Sequence, residues 1–263
     1  MRLVRKDIKG HNGKVLIIGG SQDYIGAPAL AGMAALRTGV DLVTICAPEK
    51  VAWTINSYSP DLITKKFLGE ELNLSHTKDI IMMSEKFDVV LLGPGLGIKK
   101  DFVLKLLRDI KKPFVIDADA IKTVSVESIT NSLFTPHLNE FGQLYMNSVK
   151  KPLFDSSNIE QNIKAIQQKL NNCVILLKGK SDIVFSKHRR HVNKTGHNSM
   201  TVGGTGDILA GISAGYLAQS KNLFESAKLA AFTCGKLGEY MYKQKGYSYT
   251  AYEMINEIWR FVK

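Results

Sequence analysis

The residues best placed to do chemistry run from Thr201 to Gly215, where Gly203, Gly204 and Gly206 lead into Asp207 and an apolar run from Ile208. Glycines leave the backbone bare, so several N–H groups can converge on a small anion. A helix opening there adds its unpaired N–H groups and the positive end of its dipole. Asp207 is the odd member, because a carboxylate repels the phosphate it would face. It reads either as an ordinary helix cap or as a base beside a phosphate. The three glycines ahead of it favour the base.

Other chemistry-bearing residues cluster where apolar runs stop. Gly93-Pro94-Gly95-Leu96-Gly97 follows one such run. It serves either as a tight turn or as a loop that lets a flat or phosphorylated ligand approach the backbone. The Gly-x-Gly-x-x-Gly spacing of a dinucleotide fingerprint is not met, and no acidic residue closes a second strand at the ribose position. A dehydrogenase is therefore rejected. His137 precedes Glu140 by three positions, which puts both side chains on one side of an opening helix. Glu140 can hold magnesium through water or simply favour the helix dipole. Lys178-Gly179 sets an ammonium either near a nucleotide or in a surface turn. His197, Asn198 and Ser199 stand ahead of the glycine loop, and Ser21 and Tyr24 lie where the first apolar run ends. Trp53 and Tyr58 read as core.

These residues need a frame, and the hydrophobic pattern supplies one. Lys14 to Ile18, Leu42 to Cys46, Val89 to Leu92, Phe114 to Ile116 and Val174 to Leu177 are short apolar runs expected as buried parallel strands. Helices are expected over Ala27–Thr38, Asp101–Ile110, Glu140–Met146, Asn158–Leu170, Ile208–Gln219, Leu223–Gln244 and Tyr252–Val262. Ala27, Ala31, Gly32 and Ala35 would let the first helix lie close to a sheet. Ile183–Phe185 and His191–Val192 suggest a hairpin. Ligands of doubly wound sheets bind beyond the carboxyl ends of the strands. The endings at Gly19 to Ser21, Gly93 to Gly97, Asp117 to Ala120, Thr135 to Glu140, Lys178-Gly179 and Gly203 to Asp207 would thus share one rim.

Length, charge and cysteines narrow the class. At 263 residues with 44% apolar content, one α/β domain over 1–263 is expected. Net charge is +11, which favours anionic ligands. The dense basic cluster, Lys187 to His191, lacks interleaved aromatics, so a solvated hairpin is preferred to nucleic acid. Cys46, Cys173 and Cys234 are odd in number and far apart, which suggests buried thiols rather than disulfides or zinc. No apolar run is long enough to cross a bilayer, and no secretory leader is evident. The reading is a cytoplasmic protein.

The motifs Gly20-Ser21, Gly26-Ala27, Gly93 to Gly97, Asp117 to Ala120, Thr135-Pro136-His137 with Glu140, Lys178-Gly179 and Met200 to Asp207 resemble, in this order, those of NAD(P)H-hydrate dehydratases. The resemblance runs from about Gly13 to the last helix. It implies a ribokinase-like three-layer α/β/α fold with a mostly parallel sheet. It also implies ADP- or ATP-dependent dehydration of (6S)-NAD(P)H hydrate, by phosphorylation of the C6 hydroxyl and loss of phosphate. By resemblance, Asp207 is the catalytic base. Ala27, Gly97, His137 and Asp207 contact the hydrate. Lys178, Gly179, Lys180, Ser181, Asp182, Gly203, Gly204, Thr205 and Gly206 hold the nucleotide, and Glu140 stands at the magnesium position. A homo-oligomer (dimer or tetramer) is implied, with the epimerase expected as a separate protein. The chain departs from the common pattern at His197-Asn198-Ser199, at Asp182 where Thr is frequent, and at Gln143 where Arg is frequent. Two other readings stay open: a superfamily kinase acting on a hydroxymethyl heterocycle, and a nucleotide-binding regulatory protein without turnover.

Overall fold

The structure, a computed structural model, describes residues 6–8, 10–150 and 152–262. The first part of the chain forms β1 (Lys14–Ile18), α1 (Gly26–Arg37), β2 (Leu42–Pro48), α2 (Glu49–Tyr58) and β3 (Ile63–Phe67). Next come α3 (Thr77–Ser84), β4 (Val89–Leu92), α4 (Lys100–Asp109), β5 (Phe114–Ile116), β6 (Ser132–Phe134), α5 (Leu138–Ser148) and α6 (Ile159–Gln167). The last part is β7 (Cys173–Leu177), β8 (Asp182–Ser186), β9 (Arg190–Asn193), α7 (Thr205–Ser220), α8 (Leu223–Lys245) and α9 (Ala251–Glu257).

Alternate residues of the central strands enter opposite cores, as the period of two in an extended chain requires. Val15 and Ile17 of β1 join one core while Leu16 and Ile18 join the other, and β4 splits Val89 and Leu91 from Val90 and Leu92 in the same way. The first core also takes apolar residues of α1, α2, α7, α8 and α9; the second takes those of α3 to α6. The result is three layers. The sheet order is β3-β2-β1-β4-β5-β6-β7-β8-β9, parallel through β7, with β8 and β9 antiparallel. Strand order reverses between β1 and β4, which is where such sheets open a crevice.

The small residues of α1 do two jobs. Gly32 faces the sheet, where a β-carbon would come within 2.9 Å of Leu62. Ala31 faces α7 instead: a β-carbon on Gly211 would sit 2.1 Å from the Ala31 carbonyl oxygen. The basic cluster is drawn into the hairpin scaffold. Arg190 pairs with Glu160 through two hydrogen bonds, and Arg189 pairs with Glu225 while covering the Phe224 ring.

Some expectations need correction. Trp53 is 61% exposed and Tyr58 is also exposed, because α2 turns only Val51, Ala52 and Ile55 inward. Lys66 Nζ lies 4.2 Å from the Trp53 ring, so the indole is partly covered by a cation rather than by the core. The elements α2, β3 and α3 had no sequence expectation; β3 is an edge strand whose Ile63 stays exposed, so its pattern is weak. The last helix stops at Glu257 and continues as a short 3-10 turn over Ile258–Arg260. All three thiols are buried, as expected. Among the described residues, no helix is long and apolar enough to cross a membrane.

Candidate active site

The strand endings do meet on one rim, and each is joined to the next. Gly20 N donates to the Pro94 carbonyl, linking β1 to β4. At Gly93 (φ +123°) a β-carbon would lie 1.9 Å from the Asp117 carbonyl oxygen, so only glycine permits this approach of β4 to β5. Asp117, closing β5, accepts the Thr135 hydroxyl after β6 at 2.6 Å. Lys178, closing β7, donates its backbone N–H to Pro136 at 2.8 Å.

The α7 end completes the rim. Its N-cap is Gly204 (φ +94°), and a β-carbon there would strike Leu30 and Ala251. Asp207 therefore lies inside the first turn and caps nothing, which removes the ordinary-cap reading. Thr205 N is tied to the Val202 carbonyl and Ile208 N to that of Gly204. Between them, the amides of Gly206 and Asp207 have no acceptor among the described residues, as expected for a helix start. A β-carbon on Gly206 would approach Lys178 Nζ to 3.3 Å, whereas one on Gly203 would meet open space. The glycines thus do different things: Gly204 sets the turn, Gly206 makes room for the ammonium, and Gly203 leaves a bare edge.

Three carboxylates and one ammonium set the electrostatics. Lys178 Nζ lies 3.4 Å from Asp117 Oδ1 and 3.7 Å from Glu140 Oε2, and both acids are nearly buried. Burial disfavours the charged lysine, but Asp117, Glu140 and Asp207 outweigh it, and its pKa is raised. Burial pushes the Asp207 carboxyl up to about 7, helped by the Asp117 charge and opposed by Lys178. A base with this proton affinity suits proton transfer near neutral pH.

His137 is the N-cap of α5. Its Nδ1 accepts from the amides of Asn139 and Glu140, and Glu140 Oε2 accepts from His137 N at 2.9 Å. This capping box starts the helix two residues earlier than the apolar pattern suggests. It also commits Oε2, leaving Oε1 with His137 Nε2 at 3.4 Å. Among the described residues, no group of three or more His, Cys, Asp or Glu side chains could hold a metal ion. Glu140 therefore suits contact to a metal through water better than direct ligation.

A cleft of about 940 Å³ opens beside this cluster. Of the residues expected at a ligand, His137, Lys178 to Asp182, Thr205 and Gly206 line it; Ala27, Gly97, Gly203, Gly204 and Asp207 do not. Gly97 lies on the rim's other part, where its N–H donates to Asp119. Ala27 is near it, since a β-carbon on Gly95 would lie 3.3 Å from the Ala27 β-carbon. The site thus has two parts, and Lys178, which lines the cleft and offsets the Asp207 charge, links them.

Lys194, Thr195, Gly196, His197 and Asn198 form another part of the cleft wall. His197 stacks on Tyr242 at 3.7 Å between ring centres. Sequence reading singled out His197 and Asn198 but gave Lys194 and Thr195 no role, because nothing local to β9 reveals that its exit shares a cleft with the turn after β7. Asp117 was noted as a strand ending and within one of the resembling motifs, without a role of its own; a buried acid closing a strand opposite a lysine was the available signal.

Comparison with known proteins agrees with this geometry. The family model for NAD(P)H-hydrate dehydratase matches residues 15–260. A bifunctional NAD(P)H-hydrate repair enzyme from Methanocaldococcus jannaschii is 43% identical over 256 residues, covering 95% of this chain and 48% of that protein. An ADP-dependent (S)-NAD(P)H-hydrate dehydratase from Cenarchaeum symbiosum is 35% identical over 257 residues, covering 95% and 88%. The chain spans about half the length of the bifunctional relatives. Two solved structures share the fold. The Bacillus subtilis ADP/ATP-dependent NAD(P)H-hydrate dehydratase, co-crystallised with ATP and magnesium and soaked with coenzyme A, superposes with TM-score 0.78 at 21% identity, covering 100% and 95%. A ribokinase-like superfamily protein from Enterococcus faecalis V583 reaches 0.81 at 24%, covering 99% and 90%. With the ribokinase-like fold, the glycine-loop aspartate and a match over nearly the whole sequence, the chain belongs to the NAD(P)H-hydrate dehydratase family.

Proposed function

We propose that this chain dehydrates the hydrate of NAD(P)H, in its (6S) form, at the expense of ADP or ATP. The observation that carries the reading is Asp207, a carboxyl pushed up to about 7 beside two free helix amides and the Lys178 ammonium. Asp207 takes the proton of the C6 hydroxyl, and the hydroxyl oxygen attacks the terminal phosphoryl group. The bond to the nucleotide's bridging oxygen breaks, releasing the nucleotide one phosphate shorter. The Gly206 and Asp207 amides and Lys178 offset the charge on the transferring group. Phosphate then leaves C6 with its electron pair, a neighbouring ring carbon loses a proton, and the ring double bond returns. Phosphate is a far better leaving group than hydroxide, which gives a kinase-like site a use in dehydration.

The cleft would take the adenine nucleotide, with Lys178 to Asp182, Thr205 and Gly206 along its wall. Gly203 and Gly204 belong to the same loop. Ala27, Gly97 and His137 would face the hydrate. Magnesium would reach the protein through water at Glu140 and be held otherwise by the nucleotide; when bound, it neutralises phosphate charge.

The test mixes the protein with acid-generated NADH hydrate, magnesium and either ADP or ATP. Recovery of the near-ultraviolet absorbance of reduced nicotinamide, with one phosphate released per ring restored, is expected. A stable phosphorylated product instead would make the chain a kinase. Nucleotide binding without any product would make it a binding protein.

A further inference from the structure

Three segments of the cleft wall are tied together by one side chain that does not line it. The segments are the turn from Lys178 to Asp182, the stretch from Lys194 to Asn198, and the part of α8 around Cys234 and Gly235. Asn193, at the end of β9, is 3% exposed. Its Nδ2 donates to Asp182 Oδ2 at 3.3 Å, to the Thr195 carbonyl at 3.3 Å and to the Ala231 carbonyl of α8 at 3.1 Å. Its Oδ1 accepts the Thr195 hydroxyl at 2.8 Å and the Thr195 N–H at 3.4 Å.

Both ends of this network continue into the wall. Asp182 Oδ1 accepts from Gly179 N at 3.2 Å, so one carboxylate closes the turn that carries Lys178 and joins it to Asn193. Thr195 packs onto α8 where Gly235 has no side chain; a β-carbon there would come within 2.2 Å of the Thr195 hydroxyl oxygen. One amide thus reaches all three segments, and apolar substitution would break every link at once. A buried amide with all its polar atoms engaged is a device for fixing geometry.

We propose that Asn193, acting through Asp182, is the positioning residue of the nucleotide cleft and sets how tightly this chain holds ADP or ATP. The inference rests on the reading that an adenine nucleotide occupies the cleft. Asn193 itself does not line the cleft. It holds the Lys178 turn at a fixed distance from the opposite wall.

The test uses the full chain and three variants, Asn193→Ala, Asn193→Asp and Asn193→Ser, with ADP and ATP as probes. Calorimetric binding and steady-state kinetics in both substrates are measured, and circular dichroism and Tm establish folding. Asn193→Asp keeps the acceptor toward Thr195 but faces carboxylate to carboxylate at Asp182. Asn193→Ser cannot reach Asp182 and Ala231 and adds no charge, so it serves if the first two fail to fold. The expected result is a rise of about tenfold in Kd and KM for the nucleotide, the scale of one lost buried hydrogen bond. The KM for the hydrate and kcat at saturating nucleotide should stay within about twofold, because the Asp207 side is untouched. A purely structural role would lower kcat or the active fraction and leave the nucleotide KM alone, which overturns the proposal. Folded variants with unchanged nucleotide affinity overturn it too. If the unaltered chain binds neither ADP nor ATP, the underlying reading falls as well, and the two failures are told apart.

Discussion

Lys178 Nζ stands 3.4 Å from Asp117 Oδ1, and that same oxygen accepts the Thr135 hydroxyl at 2.6 Å. One buried carboxylate therefore anchors the lysine that also borders the cleft. Lys178 is the charge that keeps Asp117, Glu140 and Asp207 from repelling one another without relief. Replacing it with Met should leave buried acids uncompensated. We expect the Asp207 carboxyl to rise further above 7, the Tm to fall and nucleotide binding to be lost, measured by thermal melts and calorimetry at pH 7 and pH 8.

Asp207→Asn removes the base and keeps the shape. Turnover should fall by about 10²–10⁴-fold, the contribution of a positioned general base, while nucleotide binding persists. Unchanged turnover in phosphate-release assays would rule out an essential base.

The same substitution should move stability with a definite sign. A carboxyl raised from its ordinary 3.8 to about 7 favours folding fully below 3.8, and that advantage is lost progressively as pH rises from 3.8 to about 7. Asp207→Asn, which never ionises, should therefore raise Tm relative to the unaltered chain most at pH 8 and less at pH 5, and leave it nearly level only below the ordinary carboxyl value of 3.8. About 1 kcal/mol corresponds to ~2–4 °C for a domain of this size, so the shift is readable in a melt.

Activity should follow the ionised base. The acid limb of the kcat/KM profile should titrate near pH 7, with activity rising as Asp207 loses its proton. Asp117→Asn takes away the neighbouring charge that most raises the Asp207 carboxyl, so the limb should move to lower pH. A limb that stays in place in the folded variant would mean that another group titrates there.

Gly204 and Gly206 should fail differently when changed to Ala. At Gly204 the backbone is left-handed and Leu30 and Ala251 block the new methyl, so a loss of about 1–3 kcal/mol in stability is expected by denaturant titration. At Gly206 only the flexible end of Lys178 is in the way, so stability should hold while nucleotide affinity drops.

The fold was legible where burial is two-sided. The runs at β1 and β4 are apolar throughout because both faces meet helices, and that pattern marks a parallel strand in sequence. The edge element β3 alternates Ile63, Thr64, Lys65, Lys66 and Phe67 with one neighbour only, which left it without a signal. Within the site, Asp207 and the glycines declared themselves because their chemistry is local to one loop. Asn193 did not, since its partners lie 11 and 38 residues away: the antiparallel return of β8 and β9 brings Asp182 to it, and the packing of α8 brings Ala231. Asp182 belongs with it: its carboxylate is spent on Gly179 and Asn193.

The close seam between α1 and α7 carries a consequence for motion. Gly211 rests on Ala31, and Gly215 on Thr38, at separations that admit no added methyl. The helix that begins at Gly26 and the helix that carries Asp207 cannot slide past each other by even part of a turn. Any opening of this molecule around its ligands must therefore hinge in the loops, with those two helices travelling as a single rigid beam.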